Sequence, residues 1–220
     1  MQSFRDRIEA GRLLADELAK KEYPDPVVLA LPRGGVPIGL EVARRLNAPL
    51  DLVMVRKIGV PYQPELAAAA VVNGDHPELV INEAIVAKVG LDKSEIDHLA
   101  EVQLAEIKRR RGIYLKDRAP VSVEGRTAIV VDDGIATGAT VRASLKAVRR
   151  RNPEKLVLAV PVASADAIEL LRAEVDDLIC IETPELFYAI GAHYIDFSQV
   201  PDEEVVLLLN EADQLCAPSE

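Results

Sequence analysis

Five short apolar runs punctuate the chain: VVLAL at 27–31, DLVMV at 51–55, TAIVV at 127–131, LVLAV at 156–160 and LICI at 178–181. Each is rich in Val, Ile or Leu and is followed by a turn or a polar stretch, the pattern of strands covered on both faces. Helical periodicity fills intervals between them at Val36–Leu46, Ala139–Arg151 and Ala165–Ala173. Buried strands alternating with helices predict a doubly wound α/β fold on a mostly parallel sheet. In such folds ligands bind at loops beyond the carboxyl ends of the strands.

One stretch interrupts the alternation. After the second run comes RKIGVPYQPELAAAAVVNGDHPELVI, then a helix from about Lys93 to Arg111 whose start fits a capping box of Asp92 with Glu95. Ile96, Leu99, Gln103 and Ile107 trace one face of that helix, a stripe suited to core or to a homodimer contact. Arg109 to Arg111 read as a solvated helix end favoured by the dipole. No internal repeat or linker divides the chain. The expectation is one domain over 1–220, with a core at about 24–180, a helical insertion at about 58–118 and a frayed CAPSE tail.

Composition narrows the partners. A length of 220 residues with 49% hydrophobic content supports one sizeable core. A formal net charge of −10 argues against an extended nucleic-acid surface, which needs clustered Lys and Arg, but allows an anionic small molecule wherever positive charge is gathered locally. Cys180 and Cys216 form no CxxC, and His76, His98 and His193 are scattered without HExxH spacing, so a zinc site and a disulfide scaffold are not expected. The N-terminal stretch mixes both charge signs, unlike a signal peptide, and no apolar run has membrane-spanning length. These features predict a soluble cytoplasmic protein with neither a nucleic-acid nor a membrane partner.

The chemistry gathers at IVVDDGIATGATVRAS, residues 129–144. TAIVV is the strand, GIATGAT the turn and VRASLKAVRRR the helix, so the loop joins a strand's carboxyl end to a helix N-terminus. Backbone amides converge on an anion there, and the dipole favours it. Gly134 and Gly138 permit close approach, and Thr137 and Thr140 supply hydroxyls. The loop is neither GxxxxGK[ST] nor GxGxxG, which disfavours an NTPase or a dinucleotide site. Asp132 and Asp133 would repel a phosphate in direct contact but can accept hydrogen bonds from sugar hydroxyls further along the same ligand. Amides for a phosphate beside acids for vicinal hydroxyls describe a ribose 5-phosphate.

This stretch resembles the signature of the type I phosphoribosyltransferases, which bind 5-phosphoribosyl 1-diphosphate (PRPP). The resemblance implies that Asp132 and Asp133 hold the ribose hydroxyls and that Ala136, Thr137, Gly138, Ala139 and Thr140 hold the 5-phosphate. It places the diphosphate loop at ALPRGGVPIG, where Arg33 offers a positive fork, Gly34 and Gly35 expose amides and Val36 opens a helix. Arg56 and Lys57 would add cationic contacts at the base of a mobile loop carrying Gly59, Pro61, Tyr62 and Pro64, whose closure would exclude water.

A hood built from terminal segments, including about 182–200, would take the acceptor. PELFYAIGAHYIDF holds four of the chain's eight aromatic residues, and Phe187 and Tyr188 are the candidate faces for a planar base, beside Tyr194 and Phe197. His193 reads as structural. Ala136 stands where the hypoxanthine-guanine branch carries an acid, which counts against 6-oxopurine salvage. From LPRGG through YIDF the pattern is most similar to the group named predicted phosphoribosyltransferases, which names no acceptor.

The implied reaction is a Mg2+-assisted displacement at the anomeric carbon of PRPP by a small nitrogenous acceptor. Arg33 and Arg56 would stabilise the departing diphosphate, and no general base is assigned. The alternatives are a PRPP-binding regulator without transferase activity and a nucleotide-phosphate binder or hydrolase using the same cradle.

Overall fold

The computed structural model describes residues 4–60, 63–72, 78–81, 83–90, 92–116 and 118–215. The first half of the chain forms α1 (Arg7–Leu18), β1 (Pro26–Ala30), α2 (Gly35–Leu46), β2 (Leu50–Leu52), β3 (Val55–Val60), β4 (Gln63–Val72), β5 (Glu78–Ile81), α3 (Glu83–Val89) and α4 (Lys93–Tyr114). The second half forms β6 (Thr127–Val131), α5 (Ala139–Arg150), β7 (Lys155–Val162), α6 (Ala165–Arg172), β8 (Asp177–Glu182), a 3-10 turn at Ile190–His193 and α7 (Asp202–Leu215).

The five expected strands form one parallel sheet in the order β2-β1-β6-β7-β8. Its middle is in tight register, with Ile129 of β6 opposite Val28 of β1 and Val157 of β7. All three side chains are buried. The two faces are filled by separate apolar clusters. Leu14 and Leu18 of α1, Ile38 and Val42 of α2 and Leu209 of α7 pack on one, and Val141, Leu145 and Val148 of α5 with Leu171 of α6 pack on the other. Double coverage is why β1, β6 and β7 read as continuous apolar runs, whereas the edge strand β8 is only partly buried along its length. Among the described residues no helix is long and apolar enough to cross a membrane.

The DLVMV run departs from expectation. β2 ends at Leu52, the Val53 amide donates to the Ala30 carbonyl at 3.0 Å, and the chain then leaves for β3. Val53 and Met54 stay buried in the crossing, so hydropathy continues past the strand's end. The insertion is more ordered in kind than a loop: β3, β4 and β5 make a separate antiparallel sheet, on which α4 packs. The Asp92 cap is present in both directions, with the Glu95 amide donating to Asp92 Oδ1 at 2.8 Å and the Asp92 amide to Glu95 Oε2 at 2.9 Å. Ile96 and Ile107 are buried and Leu99 is partly buried against the same cluster, which makes the stripe core.

Ile129 has no room to be replaced by a smaller residue without leaving a cavity. Ile129→Ala is expected to lower unfolding free energy by about 2–5 kcal/mol, read from chemical denaturation with an unchanged m-value.

Candidate active site

β1 and β6 run side by side with Ala30 opposite Val131, so the loops leaving their carboxyl ends start from adjacent positions. The pairing extends one residue beyond β1, where the Leu31 amide donates to the Val131 carbonyl at 3.0 Å. The loops then approach closely enough to dictate residue type. A Cβ on Gly34 would lie 1.9 Å from Oδ2 of Asp133, and one on Gly35 would lie 2.8 Å from the Val131 carbonyl oxygen and 3.1 Å from Cα of Asp132. Backbone atoms cannot withdraw, so glycine is required. The Gly35 amide is taken by the Leu31 carbonyl at 3.0 Å. Gly35 therefore contributes close approach, in place of the exposed amide that the sequence suggests, and α2 opens at Gly35, one residue ahead of Val36.

The paired acids are not equivalent. Asp133 is buried, and its Oδ2 accepts from Nε of Arg7 at 2.9 Å, with Nη2 of the same guanidinium 2.8 Å away as an ion-pair contact. Its main-chain carbonyl accepts from the Tyr194 hydroxyl at 2.6 Å. Asp132 is half-buried, and its Oδ1 accepts from the Asp133 amide at 2.9 Å. Its Oδ2 has no hydrogen-bond partner among the described residues. Burial holds the Asp132 carboxyl well above the usual carboxylate range, and the charge of Asp133 pushes the same way. Burial raises Asp133 too, against the opposing pull of Arg7. Two acids served by one guanidinium leave surplus negative charge, which a hydroxyl donor or a cationic centre would relieve.

Gly138 adopts φ +75° and caps α5, a conformation suited to glycine. The loop before it is pinned from behind. Val162 accepts the Ile135 amide at 3.0 Å, Ile135 accepts the Ser164 amide at 3.0 Å, and Ala136 accepts the Ser164 hydroxyl at 2.6 Å. Ala136, Thr137, Ala139 and Thr140 face solvent, where the first-turn amides of α5 have no intrahelical acceptor. Gly134 lies beneath the 3-10 turn, where a Cβ would come 2.6 Å from Cγ2 of Ile190.

The cations rest elsewhere. Arg33 Nη1 is 3.6 Å from Oδ1 of Asp202 at the start of α7, and the same oxygen accepts from the Tyr114 hydroxyl at 2.5 Å. Burial and that bond push the Tyr114 phenol up to about 12. Arg56, opposite Val71 in the antiparallel sheet, places Nη2 3.5 Å from Oε1 of Glu106, and its buried Nε has no partner among the described residues. Glu106 also accepts from Arg109 and Arg110, whose bonds hold its carboxyl down to about 2. Arg109 and Arg110 at the basic end of α4 thus pair with Glu106 while Arg109 stays 56% exposed. The structure brings the acids, glycines and cradle together, while α7 and α4 engage Arg33 and Arg56. The side chain of Lys57, together with Pro61 and Tyr62, lies outside the described residues.

The aromatic segment divides. Tyr194 is buried, with ring centroids 5.4 Å from Phe4 and 5.0 Å from Phe197, and is core. Phe187 is half-buried and stacks on His193 at 5.4 Å, while Tyr188 is 83% exposed. His193 is buried with neither ring nitrogen partnered among the described residues. Sequence reasoning missed Arg7, Glu106 and Asp202 because mixed charge along a helix reads as a solvated face. Nothing local links position 7 with position 133.

This layout of two strand-end loops has known counterparts. The model of the phosphoribosyl transferase domain matches residues 5–197. The chain belongs to the phosphoribosyl transferase family. Two Mycobacterium tuberculosis proteins, from strains CDC 1551 and H37Rv, are each named "Putative phosphoribosyl transferase" and are each 44% identical to it over 212 residues, 96% of this chain and 47% of theirs. The chain therefore spans about half the length of the curated relatives it matches. The crystal structure of TT1426 from Thermus thermophilus is similar at 42% identity and a TM-score of 0.82, covering 96% of this chain and 99% of that one.

In this phosphoribosyl transferase domain the raised Asp132 carboxyl has a consequence for stability. A carboxyl raised by folding costs stability above its folded pKa, and the cost fades as pH falls through that value towards the unfolded one. Asp132→Asn keeps an acceptor for the Asp133 amide and removes the charge. It is expected to raise Tm near pH 7, with the gain shrinking as the pH is lowered to about 4. Calorimetry across that range checks it, and a lower Tm at neutral pH would contradict the assignment.

Proposed function

We propose that the chain transfers the phosphoribosyl group of PRPP to a nitrogenous acceptor, a nucleobase being the expected class, and releases diphosphate. One observation carries this reading: the Gly34–Gly35 loop and the Asp132–Thr140 loop touch, with a Gly34 Cβ position 1.9 Å from Asp133 Oδ2. Two anion-seeking loops side by side, with carboxylates between them, match a sugar bearing a phosphate at one end and a diphosphate at the other.

The α5 amides with Thr137 and Thr140 bind the 5-phosphate, and the signature acids accept from the ribose hydroxyls. Arg33, released from Asp202, meets the diphosphate. As the acceptor nitrogen bonds to the anomeric carbon and the C–O bond to diphosphate breaks, positive charge grows on the sugar, where the surplus negative charge of the acids stabilises it. Asp132 or Asp133 would hold Mg2+ through water, since Asp132 Oδ2 and Asp133 Oδ1 are hard oxygens without a hydrogen-bond partner among the described residues. The chemistry such an ion would supply is to offset charge on the leaving diphosphate. Arg56 reaches the ligand only if it gives up Glu106, and Phe187 and Tyr188 are the aromatic faces assigned to the acceptor in the hood.

PRPP at about 100 times its Kd with Mg2+ should stabilise the fold by about 2.7 kcal/mol, or roughly 5–10 °C for a domain of this size. Diphosphate release in a screen of nucleobases and small amines then identifies the acceptor. An unchanged Tm at saturating PRPP and Mg2+ would refute the reading. Arg33→Ala should weaken PRPP by about tenfold or more while leaving ribose 5-phosphate nearly unaffected, since one charge-assisted contact is worth ~1.5–3 kcal/mol. Titration calorimetry with both ligands makes the comparison.

A further inference from the structure

Three parts of the chain meet at one carboxylate. Asp202 opens α7, Tyr114 closes α4 and Arg33 belongs to the LPRGG loop. The Tyr114 ring is buried in the main apolar cluster, and its hydroxyl donates to Oδ1 of Asp202 at 2.5 Å. Burial and that bond push the phenol up to about 12, so it keeps its proton and donates throughout the neutral range. Asp202 stands in the first turn of α7, where the helix dipole favours a negative charge. Two supports for that charge therefore do not involve Arg33. The Arg33 contact is of another kind: Nη1 stands 3.6 Å from the same oxygen, beyond hydrogen-bond length, and the guanidinium has no hydrogen-bond partner among the described residues. The two side chains are 27% and 37% exposed. The main chain of Arg33 is held, because its carbonyl accepts from the Val36 amide at 3.1 Å and the next residue, Gly34, leaves no room for a Cβ against Asp133. The backbone thus fixes where the guanidinium starts from, while the long ion pair leaves its direction open to exchange.

We infer that Asp202 is an internal competitor for the diphosphate, a carboxylate that holds Arg33 until a ligand takes it and so sets the affinity for any anion reaching that cation, and that Tyr114 is the positioning residue that makes the exchange possible. The inference rests on the proposed PRPP reading. When Arg33 turns to a diphosphate, Asp202 loses its cation but keeps the Tyr114 hydroxyl and the α7 dipole, so no charge is left without a partner. Two residues in direct contact thus act on binding with opposite sign: the carboxylate opposes the ligand, and the hydroxyl that satisfies the carboxylate favours it. A merely structural junction of α4 with α7 has no such reversal, because loss of either residue would loosen the same contact. The insertion gains a role from this arrangement, since α4 carries both Tyr114 and Glu106, the ion-pair partner of Arg56.

The test measures the affinities of PRPP, inorganic diphosphate and ribose 5-phosphate, with Mg2+ throughout, on the full chain and its Asp202→Asn, Tyr114→Phe, Arg33→Ala and Glu203→Gln variants, together with Asp202→Asn combined with Tyr114→Phe or with Arg33→Ala. Asp202→Asn is expected to tighten PRPP and diphosphate by about threefold, the scale of one solvent-screened ion pair, and to leave ribose 5-phosphate unchanged. Tyr114→Phe is expected to weaken the same two ligands by about threefold, the scale of one hydrogen bond. Its effect should shrink in the Asp202→Asn background, and that of Asp202→Asn should vanish in the Arg33→Ala background. Glu203→Gln removes the same charge from the exposed neighbouring position and should change none of the three affinities. Asp202→Asn that weakens PRPP and diphosphate or leaves them unchanged would overturn the inference, as would equal tightening by Glu203→Gln, which would make the effect one of net charge. Tyr114→Phe that binds both ligands like the parent would remove Tyr114 from the exchange and overturn its role. A parent chain that binds diphosphate but not PRPP overturns the proposed function while the variants still report the competition at Arg33, whereas a parent that binds neither overturns both.

Discussion

The register between β1 and β6 governs the rest of the site. Ala30 stands opposite Val131, and the Leu31 amide extends the ladder one step further onto the Val131 carbonyl. From there Gly34 meets Asp133 and Gly35 meets the Val131–Asp132 backbone with no room for a Cβ. A slip of one residue in either direction would bring Arg33 or Val36 onto one of those contacts. Two consecutive glycines are what this register needs and the least it can accept. The apolar residues that bury β1 and β6 on both faces, among them Val28, Leu29, Ile129 and Val130, hold that register. Core packing therefore positions the site as directly as any polar bond within it.

Charge at the crevice separates into fixed and exchangeable parts. The Arg7–Asp133 pair is nearly buried and made at hydrogen-bond distance, so breaking it would strand a charge out of water. Arg33 with Asp202 and Arg56 with Glu106 sit at 3.6 and 3.5 Å with substantial exposure, and such solvent-screened pairs contribute little. Under the proposed function, a diphosphate offering charge-assisted bonds worth ~1.5–3 kcal/mol each would displace those carboxylates. A chain with a formal net charge of −10 would in this way keep cations available for an anion.

The parallel sheet was legible because double burial writes continuous apolar runs, and the α4 cap because a capping box is local in sequence. The split of DLVMV into the end of β2 and the start of β3 was not, since Val53 and Met54 remain buried while changing sheets. At the site, the signature and the Gly pair were readable from strand, loop and helix order. The asymmetry of Asp132 and Asp133 was not readable, because it is set by Arg7, 126 residues away, and by Tyr194, 61 residues away. Tyr194 stood out as an aromatic, but its role is core packing and one hydroxyl bond. Side-chain type alone does not distinguish that from a stacking face.

These two long-range contacts also make the 187–198 segment and the signature loop parts of one rigid arrangement. Tyr194 donates to the Asp133 carbonyl while packing on Phe197, and Phe197 lies under the Arg7 guanidinium that binds the Asp133 carboxylate. Main chain and side chain of a single residue are thus held by the same aromatic cluster. Phe187 joins that cluster by stacking at 5.4 Å on His193, the last residue of the short turn at Ile190–His193 that leads directly into Tyr194. Interiors packed this closely leave little slack, so the position of the segment and the approach of Asp133 to Gly34 are set together.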